Sequence, residues 1–159
     1  MSTVLTGARV ALRPLTPDDH AAIEEWWREA AATVRGVREP VSIDELHRMI
    51  EGAGSETLVI ARADESAPIG LLDYEIADEG WLEVRFLALD KALRGWGYGS
   101  EAVRLIEAAG LARRFVARVS AGNGLGLYFW LRMGYWPGEL PWKAGETKDV
   151  IVMIREQKE

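Results

Sequence analysis

One stretch constrains this chain more than any other: Phe86–Ala109, FLALDKALRGWGYGSEAVRLIEAA. It opens as an apolar run that reads as the end of a strand. It then crosses a loop in which Gly95, Gly97 and Gly99 alternate with Trp96 and Tyr98, and it closes as an amphipathic helix. A helix N-terminus carries unpaired N–H donors and partial positive charge. Glycines just ahead of it let a ligand approach the backbone, so a strand–glycine loop–helix unit suits an anion, above all a phosphate.

The rest of the sequence supplies a single layer protein around that unit. At 159 residues, with 48% hydrophobic and 28% charged residues, residues 1–159 read as one globular domain. No apolar run approaches the ~20 residues of a membrane span. The opening MSTVLTGAR lacks the basic-then-apolar pattern of a signal peptide, so the expected setting is cytoplasmic with no membrane partner. Without cysteine there is no disulfide, no thiolate metal ligand and no cysteine nucleophile. The two histidines, His20 and His47, fit no metal-ligand spacing, and no metal is expected. A net charge of −6, with no basic run longer than Arg113–Arg114, argues against a nucleic-acid partner.

Taken in order, Ala8–Arg13 alternates like a half-buried strand ended by Pro14. Thr16-Pro17-Asp18-Asp19 reads as a helix start, with Ile23, Trp26 and Trp27 on one stripe and an end near Ala31. A second helix is expected from Ser42, with Ile43, Leu46 and Ile50 as its apolar stripe. Thr57–Ala63, Pro68–Ala77 and Trp81–Leu89 read as three consecutive strands, the last two joined by a turn at Asp78-Glu79-Gly80. The helix after the glycine loop runs to about Ala112, followed by a strand at Phe115–Val119 and a helix at Leu125–Met133. Tyr135-Trp136 begins another strand, Pro137–Thr147 is a loop, and Asp149–Arg155 is the last strand. The result is an α/β (α+β) protein with a mixed sheet.

Two familiar phosphate motifs do not fit the loop. A P-loop needs lysine after its glycines, and none follows here. Gly97, Gly99 and Ala102 satisfy the letters of a dinucleotide fingerprint. That motif follows its strand directly, whereas Asp90–Arg94 intervene, and it wants an acid about 20 residues on. No Asp or Glu occurs between Glu107 and Glu139.

RGWGYG at Arg94–Gly99 resembles the [Q/R]-x-x-G-x-[G/A] acyl-CoA signature of the GNAT superfamily of N-acetyltransferases. NGLGLYFWLRMGY at Asn123–Tyr135 is similar to that family's N-x-x-[A/G]-x-x-x-Y-x-x-x-G-[F/Y] segment, and LRPLTPDD is a common opening in it. The element order matches from Ala8 to Arg155. The resemblance implies a mostly antiparallel sheet of six to seven strands with about four helices, its fourth and fifth strands splayed. It implies acetyl-CoA as cosubstrate, direct transfer to a primary amine of a small molecule or peptide, and dimers in some members.

Residue by residue, the resemblance places the pyrophosphate on the N–H groups of Trp96, Gly97, Tyr98, Gly99 and Ser100, with Gly95 and Arg94 beside them. The pantetheine arm would pair with Leu87, Ala88 and Leu89 at the end of the fourth strand, where a backbone N–H also suits the thioester oxygen. Asn123 matches the asparagine that holds pantetheine; capping a helix is its alternative role. An amine with a pKa of about 10 needs a base. Glu83 on the fourth strand is the candidate, its alternative being an ion pair with Arg85 or another cation; Asp73 and Glu75 are second choices. Trp130 stands where the family often carries a tyrosine acid, and it cannot serve as one. That leaves Tyr128, which points elsewhere on the helix. Trp136, Glu139 and Trp142 fall in a loop that borders the acceptor in the family. The rival reading is a GNAT-fold module that binds acyl-CoA without turnover.

Overall fold

The computed structural model describes residues 4–31, 56–140 and 149–157. Within them the strands are β1 (Leu5–Thr6), β2 (Val10–Pro14), β3 (Glu56–Arg62), β4 (Pro68–Ile76), β5 (Trp81–Leu89), β6 (Arg114–Ser120), β7 (Trp136–Pro137) and β8 (Val150–Glu156). The helices are α1 (His20–Ala31), α2 (Tyr98–Ala108) and α3 (Gly124–Arg132). The strands form one sheet in the order β1-β2-β3-β4-β5-β6-β8-β7. Every neighbouring pair is antiparallel except β5 and β6. That one parallel pair follows from α2, which carries the chain from the end of β5 back to the start of β6.

The eight strands exceed the six to seven expected because Leu5–Thr6 pairs with Ala11–Leu12. A two-residue strand has no periodicity to read. The expected fourth strand, Trp81–Leu89, is therefore β5. The helix expected from Ser42 lies outside the described residues. The start of the first helix is tighter than anticipated: Pro17–Asp19 forms a single 3₁₀ turn before α1. Asp19 closes that turn by accepting from the Thr16 N–H (3.0 Å) and from Arg13 (2.8 Å to each carboxylate oxygen). The Arg13 hydrogen bonds hold the Asp19 carboxyl below its ordinary range, against burial, which acts the other way.

Both faces of the sheet are covered. On one, α2 and α3 bury Ala102, Val103, Ile106 and Trp130 against Leu12, Leu58, Ile60, Leu72, Leu82 and Val84. On the other, α1 lays Ile23, Trp26 and Trp27 over Val59, Leu71, Phe86 and Ala88, with the Trp27 and Phe86 rings 6.0 Å apart. Further along that second face sits a small cluster of Trp81, Val116 and Val152.

Two irregularities in β5 position the site. Asp73 opposes Phe86 while Tyr74 opposes Val84, so Arg85 is an extra residue, a β-bulge. The bulge resets the alternation, which keeps Phe86 and Ala88 on the α1 face together with Trp81 and Glu83. The parallel pairing of β5 with β6 runs only from Trp81↔Arg114 to Val84↔Ala117. Beyond it, both strands continue while paired only on their outer sides, β5 with β4 and β6 with β8. The two strands therefore splay from the bulge onward, as the resemblance implied.

Candidate active site

The glycine loop connects the splayed end of β5 to α2. The Asp90 side chain accepts from the Ala92 N–H (3.1 Å) and caps a single turn over Lys91–Leu93. Gly95 (φ +85°) and Gly97 (φ +83°) then take left-handed conformations that disfavour any side chain. Gly97 is the N-cap of α2 and offers no capping side chain. Its carbonyl accepts from the Glu101 N–H at 3.1 Å. The N–H groups of Tyr98, Gly99 and Ser100 are the first in the helix and have no intrahelical partner. Gly99 is buried, and a Cβ there would come within 3.2 Å of Leu89 Cδ1. The cradle thus fits a phosphate group: open N–H donors, a helix dipole behind them, and no side chain in the way.

Sequence reasoning missed the residue that holds this loop. Arg9, just before β2, donates through Nη1 to the Trp96 carbonyl (2.8 Å) and through Nε to Glu101 (3.1 Å). Its guanidinium lies over the Tyr98 ring, 5.0 Å from the centroid. Glu101 answers by accepting the backbone N–H groups of Arg9 (2.8 Å) and Val10 (2.9 Å). Burial pushes the Glu101 carboxyl up, but these hydrogen bonds outweigh it and hold the group below its ordinary value. A contact across 92 positions leaves no local signal; only the alternation of A-R-V-A-L-R hinted that Arg9 faces outward.

Arg94, beside the cradle, also bonds the protein backbone. Its Nε and Nη2 donate to the Leu89 carbonyl (3.2 and 3.0 Å), tying the loop back to the end of β5. Of the expected pantetheine-binding residues, Ala88 is buried, while Leu87 and Leu89 are half-buried against the α2 side. Asn123 caps α3, its Oδ1 accepting from the Gly126 N–H at 2.9 Å. Trp96 stands in the open at 66% exposure.

On the α1 face a belt of charge crosses β4, β5 and β6 between the two apolar clusters. Glu83 and Asp73 are both buried in it. Glu83 is paired, but with Arg118 rather than Arg85: Arg118 Nη1 donates to both carboxylate oxygens, at 2.7 and 2.9 Å. Asp73 accepts from Thr57 Oγ1 (2.8 Å), and Arg85 Nε lies 3.8 Å from its other oxygen. Glu75, half-buried, is directly opposite Glu83. The belt brackets the point where β5 and β6 part. A proton arriving on Glu83 must share the carboxylate with Arg118.

The family follows from this arrangement and from comparison with known proteins. A model of the acetyltransferase (GNAT) domain matches residues 9–124, well over half of the chain. The chain belongs to the GNAT acetyltransferase family. None of the curated proteins compared matches it. Among solved structures, a probable GNAT acetyltransferase from Chromobacterium violaceum is 20% identical, with a TM-score of 0.79 over 96% of this chain and 85% of that one. A Salmonella typhimurium acetyltransferase, described as modifying the N-terminal serine of ribosomal protein L7/L12, is 15% identical, with a TM-score of 0.76 over 98% and 100%. RimL, a ribosomal L7/L12 α-N-protein acetyltransferase in complex with coenzyme A, is 14% identical, with a TM-score of 0.74 over 98% of each chain. At these identities the likeness is one of fold.

Against the GNAT pattern, the tyrosine position is filled by Trp130, buried edge-on to Phe129 (5.1 Å) and Tyr135 (4.7 Å). Tyr128, the fallback acid, faces away from the buried Trp130 on α3. It lies on the outer face of α3, exposed, with Arg132 over its ring at 5.7 Å, because Leu127, Trp130 and Met133 take the inner face. Trp136 opposes Ile154 at the sheet edge, so it shares the face of the charged belt, and it is exposed there. Glu139 is exposed, and Trp142 lies outside the described residues. Among the described residues no group of three or more His, Asp or Glu could hold a metal, and no helix is long and apolar enough to cross a membrane.

Proposed function

We propose that the protein is an acetyl-CoA-dependent N-acetyltransferase acting directly on a primary amine of a small molecule or peptide. One observation carries this reading: the splay of β5 from β6 opens onto the glycine-capped end of α2 and onto a buried belt of carboxylates. Acetyl-CoA, when bound, supplies an acetyl group activated as a thioester. The N–H groups of Trp96 to Ser100 would hold its pyrophosphate, and Leu87 to Leu89, with Asn123, its pantetheine arm.

The chain's own residues then have distinct tasks. Glu83 and Asp73 draw an ammonium group toward the splay, and Glu83 takes its proton directly or through water. Arg118 fixes the Glu83 carboxylate in one orientation. A C–N bond forms, a C–S bond breaks, and an ammonium acceptor gives up one proton beyond the one that leaves on the thiol. No described tyrosine is needed for that proton, since a thiol with a pKa of about 8.5 leaves readily as thiolate. Trp136 and Glu139 border the acceptor side. The reported target of the Salmonella neighbour keeps peptide N-termini among the acceptors. With acetyl-CoA as donor, the setting is cytoplasmic.

Trp130 in the tyrosine position favours a second reading, a GNAT module that binds acyl-CoA without turnover. Thermal shift separates both from other nucleotide binders: acetyl-CoA raises Tm, and NAD and ATP do not. Thiol release across an amine panel then decides between enzyme and module. No shift with acetyl-CoA would overturn both.

A further inference from the structure

Arg85 is the extra residue of the bulge and the first residue of β5 past the last pairing with β6. Its side chain is only 14% exposed. Among the described residues its one ion pair, to Asp73, is 3.8 Å long, beyond hydrogen-bond range. Its Nη1 is buried with no hydrogen-bond partner among the described residues. A buried guanidinium with donors left over is costly, and such groups are kept where something else completes them. Arg118, on the neighbouring strand, donates through Nη1 to both oxygens of Glu83.

Resting on the acetyltransferase reading above, we infer that Arg85 binds a carboxylate of the acceptor, and that the acceptor is a small amino acid with its carboxylate free. Glu83 and Arg85 lie two positions apart on one strand, roughly 7 Å between Cα atoms, with both side chains on the belt. Their charged heads can therefore receive the two ends of one small zwitterion. The amine end meets Glu83, with Glu75 opposite it adding negative charge. The carboxylate end meets the planar donor edge of Arg85, a geometry that guanidinium matches and ammonium does not. The charges of the belt also select: Asp73, Glu75 and Glu83 face Arg85 and Arg118, so both signs are offered to an acceptor. A zwitterion enters without adding net charge to a buried site. A simple cationic amine leaves Arg85 incomplete, and a dianionic phosphate overloads it. The products are an N-acetyl amino acid, the CoA thiol and one proton.

The test uses the intact protein and matched acceptors that differ only at the carboxyl end. These are glycine, β-alanine and γ-aminobutyrate against their amides, their decarboxylated amines and a glycyl peptide. Carboxylates are expected to exceed the amides by about 100-fold in kcat/KM at one or two chain lengths, since a site built to bond a group rejects the analogue lacking it. Arg85→Gln should abolish that preference through KM, and Arg85→Lys should restore only part of it. Should Arg85→Gln fold poorly, the comparison with wild-type protein alone decides. Equal or better turnover of amides, amines or the peptide would overturn the inference and leave the acetyltransferase reading intact. Thermal shift of the acetyl-CoA complex covers slow acceptors: no stabilisation by any carboxylate, together with no turnover of any, would also overturn it. Failure of acetyl-CoA itself to shift the protein would instead strike the underlying reading.

Discussion

The buried acid–arginine clusters around Glu107 and around Glu83 are built differently. At the far end of α2, Glu107 is completed from every side. Arg104 donates to it at 2.7 Å, Tyr135 Oη at 2.7 Å, and Arg155 forms an ion pair at 3.0 Å. Burial first, then the Glu107 charge, pushes the Tyr135 hydroxyl well above its ordinary range, so it stays a donor. These contacts tie α2 to β8 and to the end of α3, where Arg104 also bonds the Met133 carbonyl (3.0 Å). The belt around Glu83 ties less together. It lies where two strands part, and Arg85 is left with a donor unspent. The same residue types thus make a fastener in one place and line an opening in the other, and the difference lies in the backbone around them: Glu107 joins packed elements, Glu83 lies where two strands part, and each cluster keeps one buried arginine Nη1 without a hydrogen bond, on Arg155 and on Arg85.

The sharpest way to break this comparison is to remove each acid in turn. Glu107→Ala strands Arg155 and Tyr135 and should cost about 3–5 kcal/mol in denaturant unfolding, with kcat/KM per folded molecule little changed. Glu83→Gln should do the reverse. Turnover falls by about 100-fold or more and its pH dependence changes, while stability falls by less than in Glu107→Ala. An unchanged rate would remove Glu83 from the chemistry. A smaller effect is expected at the loop. Arg9→Ala loses the Trp96 and Glu101 bonds and the Tyr98 contact, roughly 1 kcal/mol of positioning, so KM for acetyl-CoA rises about five-fold with kcat held. A fall in kcat alone would contradict a positioning role.

The smallest effect is in acid. Asp19 and Glu101 are held below their ordinary values of 3.8 and 4.5. As pH falls, the unfolded chain takes up these protons first. Their contribution is full above about pH 5 and is lost as pH drops through the folded values. Urea midpoints between pH 6 and pH 3 should decline, and Glu101→Gln should flatten the decline.

What was legible from the residues was what local chemistry determines. The glycine loop announced α2 because left-handed backbone needs glycine, and the apolar alternation announced every strand of five residues or more. Asn123 was legible as a cap or a ligand contact, and its Oδ1 caps α3. Other features depend on contacts between distant segments. Arg85 and Glu83 are two residues apart, so Arg85 was the one cation that could be named beside Glu83 as an ion-pair partner, with another cation, or the role of base, left open. The bulge sends Arg85 to Asp73, and the parallel strand brings Arg118 to Glu83 from 35 positions away. Trp130 and Tyr128 show the reverse. A helical spacing of three placed Leu127, Trp130 and Met133 inward, which was enough to turn Tyr128 outward.

The parting of β5 from β6 has a consequence for how the sheet meets other chains. An ordinary edge strand offers its whole unpaired ladder to any neighbour and has to be guarded. Here residues 85–89 and 118–120 form two short half-edges in the interior of the sheet, each already laddered on its outer side. Along the gap, alternate amides should exchange with solvent as freely as those of a loop, while their immediate neighbours exchange as slowly as a core. Open backbone of this kind can be kept for an extended, amide-bearing guest without inviting aggregation.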